Sequence, residues 1–152
     1  MDALEEAINI KLGSRLTEQE GAFAPGANIS YVKIPEGRYE ITIYFDATPA
    51  NVDKLIAMAL EEINKLKTNG ADDKEIKNFV LKEAQETKAN FRQNIFWAGY
   101  LNSTSQTQQD PARLINHVQS LSKITAQSTK EAANKYFSGT NLIKLVLLPE
   151  KK

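Results

Sequence analysis

The chain has 152 residues, 41% hydrophobic and 25% charged, a globular balance with enough apolar material for a real core. Lys+Arg and Asp+Glu number 19 each, so there is no basic excess to neutralise phosphates, and nucleic acid is excluded as a partner. There is no cysteine, which excludes disulfide and thiolate chemistry, and no apolar run reaches the length of a membrane span.

Met1 is followed by Asp2, Glu5 and Glu6 rather than by a basic start and an apolar run, so no signal peptide is expected. Leu4, Ile8, Leu12 and Leu16 recur every four residues and predict one amphipathic helix from Asp2 to about Glu20. Gly13 within it costs about 1 kcal/mol relative to Ala. Gly21 is the natural stop. Pro25 and Gly26 mark a further break. Two alternating runs then predict an antiparallel hairpin. Ile29 and Tyr31 oppose Ser30 and Val32, while Tyr39, Ile41, Ile43 and Phe45 oppose Glu40, Thr42 and Tyr44. Ile34-Pro-Glu-Gly-Arg38 has the length and chemistry of the connecting turn.

Thr48-Pro49 reads as a helix start, followed by Val52, Leu55, Ile56, Ala59, Ile63 and Leu66 at helical spacing and closed by Gly70. Asp72 with Glu75 three residues on resembles a capping box. The stripe behind it predicts one long helix to about Leu101, and the polar stretch from Asn102 to Gln109 then reads as a connector. Asp110-Pro111 and Thr125 begin two shorter helices, the second closed by Gly139. Leu142 to Leu148 is nearly all apolar and predicts a strand buried in the sheet. Lys151 and Lys152 form a solvated tail.

The residues offer little chemistry of their own. His117 is the only histidine, so neither H-E-x-x-H nor its inverted form can be built, and no metal ligand is assigned. His117 reads as a partly exposed residue of a short helix. No G-x-S-x-G elbow is present. Gly21 and Gly26 have the outer spacing of a phosphate-binding loop, but Ala27-Asn28 replaces its Lys-Ser/Thr pair. Glu18, Glu20 and the pair Asp72-Asp73 read as solvated helix ends. Asn94-Ile-Phe-Trp97 with Tyr100 reads as core rather than as a ligand platform. No residue is assigned a catalytic role.

An ordered set of short matches carries a family resemblance. It runs from Leu16-Thr-Glu-Gln-Glu-Gly21 and Phe23-Ala-Pro25 through Pro35-Glu-Gly-Arg-Tyr39 and Pro49-Ala-Asn-Val-Asp-Lys-Leu55. It continues with Lys67-Thr-Asn-Gly70, Asn94-Ile-Phe-Trp97, Asp110-Pro111, Ile124-Thr125, Lys135-Tyr136 and Leu147-Leu-Pro149. Together these resemble the C-terminal, non-catalytic domain of the pitrilysin/insulinase family of zinc metallopeptidases, in its bacterial form.

The resemblance implies an α+β fold of the processing-peptidase type, an antiparallel-rich sheet with helices packed on one face. It implies a single domain over residues 1–152, cut from a larger multidomain peptidase, with a strand before the first helix missing. The missing strand would leave a sheet edge open, and a homodimer through that edge is expected. Zinc and H-x-x-E-H are implied in another domain of the same polypeptide or in a partner subunit, with a peptide as substrate. This chain would position the peptide and close the chamber, and alone should be inactive. A pure scaffold role is the alternative. The compartment stays open between the bacterial envelope or periplasm and the cytoplasm.

In many members of the family, Arg-Glu-Glu-x-Gly-x-x-Tyr supplies an Arg and a Tyr that reach the catalytic site. Here Phe23 takes the Tyr place without a hydroxyl, Thr17 falls at the Arg place if one residue is deleted, and Arg15 substitutes if the register shifts. Arg15, Thr17 and Phe23 are therefore the substrate-binding candidates that the resemblance implies.

Overall fold

The computed structural model describes residues 1–18, 22–32 and 35–148. Helix α1 (Asp2–Leu12) passes directly into a wide π-helical turn, Gly13–Glu18. Strands β1 (Phe23–Val32) and β2 (Arg38–Asp46) follow. After a short 3-10 turn at Pro49–Asn51 come α2 (Val52–Asn69), α3 (Asp73–Asn90) and α4 (Asn94–Gln106). A second 3-10 turn, Pro111–Leu114, leads to α5 (His117–Leu121) and α6 (Ala126–Tyr136). The fold is α+β, with helices packed against one face of an antiparallel pair.

The stripe expected on α1 is the centre of the core. Leu4, Ile8, Leu12 and Leu16 are all at most 1% exposed. Burying side chains of this size contributes roughly 1.5–3 kcal/mol each. They meet Leu55, Met58, Ala59 and Leu66 of α2, Ala27 of β1 and Ala133 of α6. The π-helical turn keeps Leu16 in the core, and the Leu16 carbonyl accepts from Ala22 N–H at 2.9 Å. The continuous helix expected to Glu20 therefore ends as an α-helix at Leu12, and Gly13 sits at the change of winding. The stop expected at Gly21 lies outside the described residues, as do Ile34 of the hairpin link and the Lys151-Lys152 tail.

The expected antiparallel hairpin forms, and its register follows from the structure. Ala27 faces Ile43, Ile29 faces Ile41 and Tyr31 faces Tyr39. Ile29, Ile43 and Phe45 pack on the core, while Thr42 and Tyr44 face solvent, as period-two patterning requires. β1 starts five residues earlier than its alternation suggested. Pro25 and Gly26 lie inside it because a bulge between Phe23 and Gly26 absorbs one extra residue. Ala24 takes a left-handed φ of 44° there. The ring of Tyr44 lies over Gly26, where a Cβ would come within 2.6 Å of it.

Two further expectations fail. The long helix from Asp72 to Leu101 is two helices, parted at Phe91–Gln93 where Gln93 is extended, and α4 runs on through the supposed connector. The aromatic stripe therefore leaves the core. Phe91, Phe96, Trp97 and Tyr100 pack on one another, with centroids 5.5–6.4 Å apart, and Trp97 Nε1–H donates to the Phe91 carbonyl at 3.0 Å. Residues 142–148 are not a buried strand. They are extended, outside the sheet, and Leu145 and Leu147 are 90% and 98% exposed. Apolar composition makes a strand only where a partner edge is in reach, and none pairs with them among the described residues.

The α2–α3 turn is pinned to α6. Gly70 has φ +80° and ψ −172°, and its backbone passes against the Ala126 carbonyl. Ala71 N–H donates to Thr129 Oγ1 at 2.9 Å, and Asn134 Nδ2 donates to the Lys67 carbonyl at 2.7 Å. The capping box anticipated at Asp72 is formed, and the helix start expected at Thr125 proves to be a second capping box, with Ser128. Asp110 caps its turn through Ala112 N–H at 2.9 Å. Thr48 makes no side-chain cap, because the 3-10 turn intervenes before α2.

Candidate functional site

The three candidate residues lie around the π-helical turn, which packs against both β1 and α2. They do not share one orientation. Thr17 and Phe23 are exposed, Phe23 at 69%, at the bulged end of the hairpin where Phe23 pairs with Asp46. Arg15 turns the other way, its Nε 3.9 Å from Glu62 Oε1 on α2.

Arg15 lines a cavity of about 460 Å³ together with Ile10, Lys11, Ser14, Glu62 and Lys65. Glu62 is only 8% exposed and accepts from Lys65 Nζ at 2.7 Å. Lys11 Nζ reaches Asp72 Oδ2 at 3.1 Å and Glu75 Oε1 at 3.2 Å. Partial burial is the largest single influence on Lys11 and acts to lower its pKa. The hydrogen bonds and charges of Asp72 and Glu75 together outweigh it and hold the ammonium above its ordinary value. Hydrogen bonds to Glu62, then Glu61, raise Lys65. The cavity is thus a mesh of paired charges. It can orient α1, α2 and α3 relative to one another.

Glu62 and Lys11 were not singled out from the sequence. A signal existed for Glu62. It sits seven residues after Leu55 on the stripe of α2 that carries Ala59, Ile63 and Leu66, where a charge needs a partner. Asp72, read as a solvated helix end, also anchors Lys11.

The lone histidine is half-buried on α5, and its Nε2 lies 2.8 Å from Glu83 Oε1 on α3. The nearby Ser120 hydroxyl donates to the His117 carbonyl at 2.6 Å, so it does not address the imidazole. Among the described residues no group of three or more His, Cys, Asp or Glu could hold a metal ion. No helix among them is long and apolar enough to cross a membrane. At the other end of the hairpin, Tyr31, Tyr39 and Tyr136 pack as tilted rings with centroids 4.7 and 4.5 Å apart. The hydrogen bond between Tyr39 and Tyr136 pushes the first phenol up and the second down.

Residues 2–80 match the family described as the peptidase M16 inactive domain. Among curated proteins, none matches the sequence. Three solved structures share the fold. The periplasmic protease PqqL from Escherichia coli is 22% identical with a TM-score of 0.76, covering 90% of this chain and 15% of that one. A peptidase M16 inactive domain from Pseudomonas fluorescens is 16% identical with a TM-score of 0.73, covering 90% of this chain and 34% of that one. A protease from Helicobacter pylori is 14% identical with a TM-score of 0.67, covering 89% and 34%. This chain therefore spans only a sixth to a third of the lengths of the structures it resembles.

Proposed function

The chain belongs to the peptidase M16 inactive-domain family, and from that membership we propose that it is the substrate-positioning, chamber-closing lobe of a larger zinc-dependent peptidase. The observation that carries this reading is the match across residues 2–80, which takes in α1, the π-helical turn, both strands, α2 and the start of α3. The zinc ion belongs to a His-x-x-Glu-His domain of the same polypeptide or of a partner subunit, where a bound metal activates water for attack on a peptide carbonyl. This lobe contributes no catalytic group. Its part is to hold the peptide, and the exposed Phe23 and Thr17 supply the surface for doing so. Phe23 lacks the phenol of the family pattern, so its contact with the peptide is apolar. A second copy of the chain, held through the open edge of the sheet, is a further partner.

The test uses the intact parent polypeptide and a peptide substrate. Phe23→Ala is expected to raise KM several-fold, up to about tenfold, with kcat unchanged, the pattern of lost uniform binding. An unaltered KM would remove Phe23 from the substrate surface. The scaffold reading has one observation in its favour, the turning of Arg15 toward Glu62. Under it, Arg15→Ala lowers stability, and neither Arg15→Ala nor Phe23→Ala changes the kinetic constants.

A further inference from the structure

Glu62 is a charge in an apolar row. On α2 it lies among Leu55, Met58, Ala59, Ile63 and Leu66, all buried, and is itself only 8% exposed. A carboxylate taken that far from water needs partners. Lys65 Nζ at 2.7 Å is one, but it joins two residues of the same helix and holds no other element in place. The second cation comes from elsewhere in the chain. Arg15 Nε, on the π-helical turn, stands 3.9 Å from Glu62 Oε1. A shielded pair of this kind adds little net stability, yet it can fix one arrangement over others.

The turn that carries Arg15 is also the mount of the exposed pair. Thr17 belongs to it. Leu16 is fully buried, and its carbonyl accepts from Ala22 N–H at 2.9 Å. That bond ties the turn to the residue immediately before Phe23, where β1 begins. The ladder gives this end of the strand little guidance of its own, because the bulge lies between Phe23 and Gly26 and Ala24 takes a φ of 44°. A π-helical turn is rare and persists where surrounding contacts hold it. A continuous path therefore runs from the Glu62 carboxylate through the guanidinium, the turn and one backbone hydrogen bond to Phe23. Every link in it lies within residues 15–62.

We propose that Glu62 is a positioning residue for the peptide surface. Its charge fixes Arg15, and through Arg15 the winding of the turn that sets Thr17 and Phe23. This rests on the substrate-holding reading of those two residues and extends it to a side chain too buried to touch the peptide itself.

The first measurement is amide hydrogen exchange by nuclear magnetic resonance on the 152-residue chain. Ala22 N–H reports the turn. Ala27 and Ile29 N–H, which donate to Asn9 Oδ1 and Glu5 Oε2, both at 2.7 Å, report the strand beyond it. Glu62→Gln keeps the shape of the side chain and removes its charge. It should speed exchange at Ala22 at least about fivefold and leave Ala27 and Ile29 within about twofold. Equal acceleration at all three means a general loss of stability, and no change at Ala22 means that the charge does not hold the turn. Either result overturns the proposal.

The second measurement is peptide hydrolysis by the intact parent polypeptide. Glu62→Gln should raise KM about three- to tenfold with kcat unchanged. Combined with Phe23→Ala, it should raise KM by clearly less than the product of the two separate factors, because both changes act on one surface. A full product means that the two residues act separately and overturns the proposal. If Phe23→Ala raises KM and Glu62→Gln does not, the positioning role is wrong and the substrate surface stands. If neither does, the substrate-holding reading falls and the positioning role falls with it.

Discussion

Replacing Gly70 by alanine should be among the most damaging single changes to this chain. Gly70 occupies a backbone region, φ +80° and ψ −172°, that essentially only glycine adopts, and forcing another residue there costs about 1–3 kcal/mol. An added Cβ would lie 2.0 Å from the Ala126 carbonyl oxygen, a backbone atom that cannot rotate away. Relief requires α6 to retreat from the α2–α3 turn. That retreat stretches the buried bond from Ala71 N–H to Thr129 Oγ1, and a buried donor left unsatisfied costs about 1–3 kcal/mol. The sum, roughly 2–6 kcal/mol, is a large part of the 5–15 kcal/mol that holds a typical domain together. Urea unfolding followed by far-ultraviolet circular dichroism should therefore show a midpoint lower by about 1–3 M for a slope near 2 kcal/mol/M. Gly139→Ala is the matched control. It shares a positive φ of 79° but has open space around it, so it should cost only about 1 kcal/mol. If the two variants lose the same stability within about 0.5 kcal/mol, the close approach of α6 to Gly70 is wrong.

Three other outcomes are expected. Ala24→Gly should stabilise the chain by about 0.5–1 kcal/mol, because Ala24 sits at φ 44° in the bulge, and a loss of stability in thermal melts would contradict that geometry. Asn9→Ala strips both bonds from Ala27 and should cost about 1–3 kcal/mol in denaturant unfolding; an unchanged midpoint would count against those bonds. Lys11 has a folded-state pKa raised above 10.5, so its stabilisation is fully present below the unfolded value and is lost as pH rises through the folded one. Stability should fall on that alkaline limb, and Lys11→Met should flatten the part due to this residue; an unchanged slope would count against the pairing with Asp72 and Glu75.

Local patterns account for much of the architecture. The four-residue recurrence of Leu4, Ile8, Leu12 and Leu16 is visible in the chain and forms the centre of the core. So are the alternation of β2, the capping box at Asp72 and the helix start at Thr125, since each depends on residues within one element or one turn. The candidate site was less legible. Matching a family pattern placed Arg15, Thr17 and Phe23 side by side along the chain. Whether a side chain faces solvent or a neighbouring helix depends on the winding of the turn, and a π-helical turn rotates each later residue relative to an α-helix.

What the sequence determined by itself was therefore the class of fold, the main core stripe and most of the helix starts. Each of these depends on residue type and short spacing alone. Tertiary structure decided the rest: that Arg15 turns to Glu62, that Asn9 and Glu5 close one sheet edge, and that the aromatic run of α4 packs on itself outside the core. It also decided that residues 142–148 lie in water. A strand needs hydrogen-bonding partners supplied from elsewhere, and a sequence that specifies apolar alternation does not specify who supplies them.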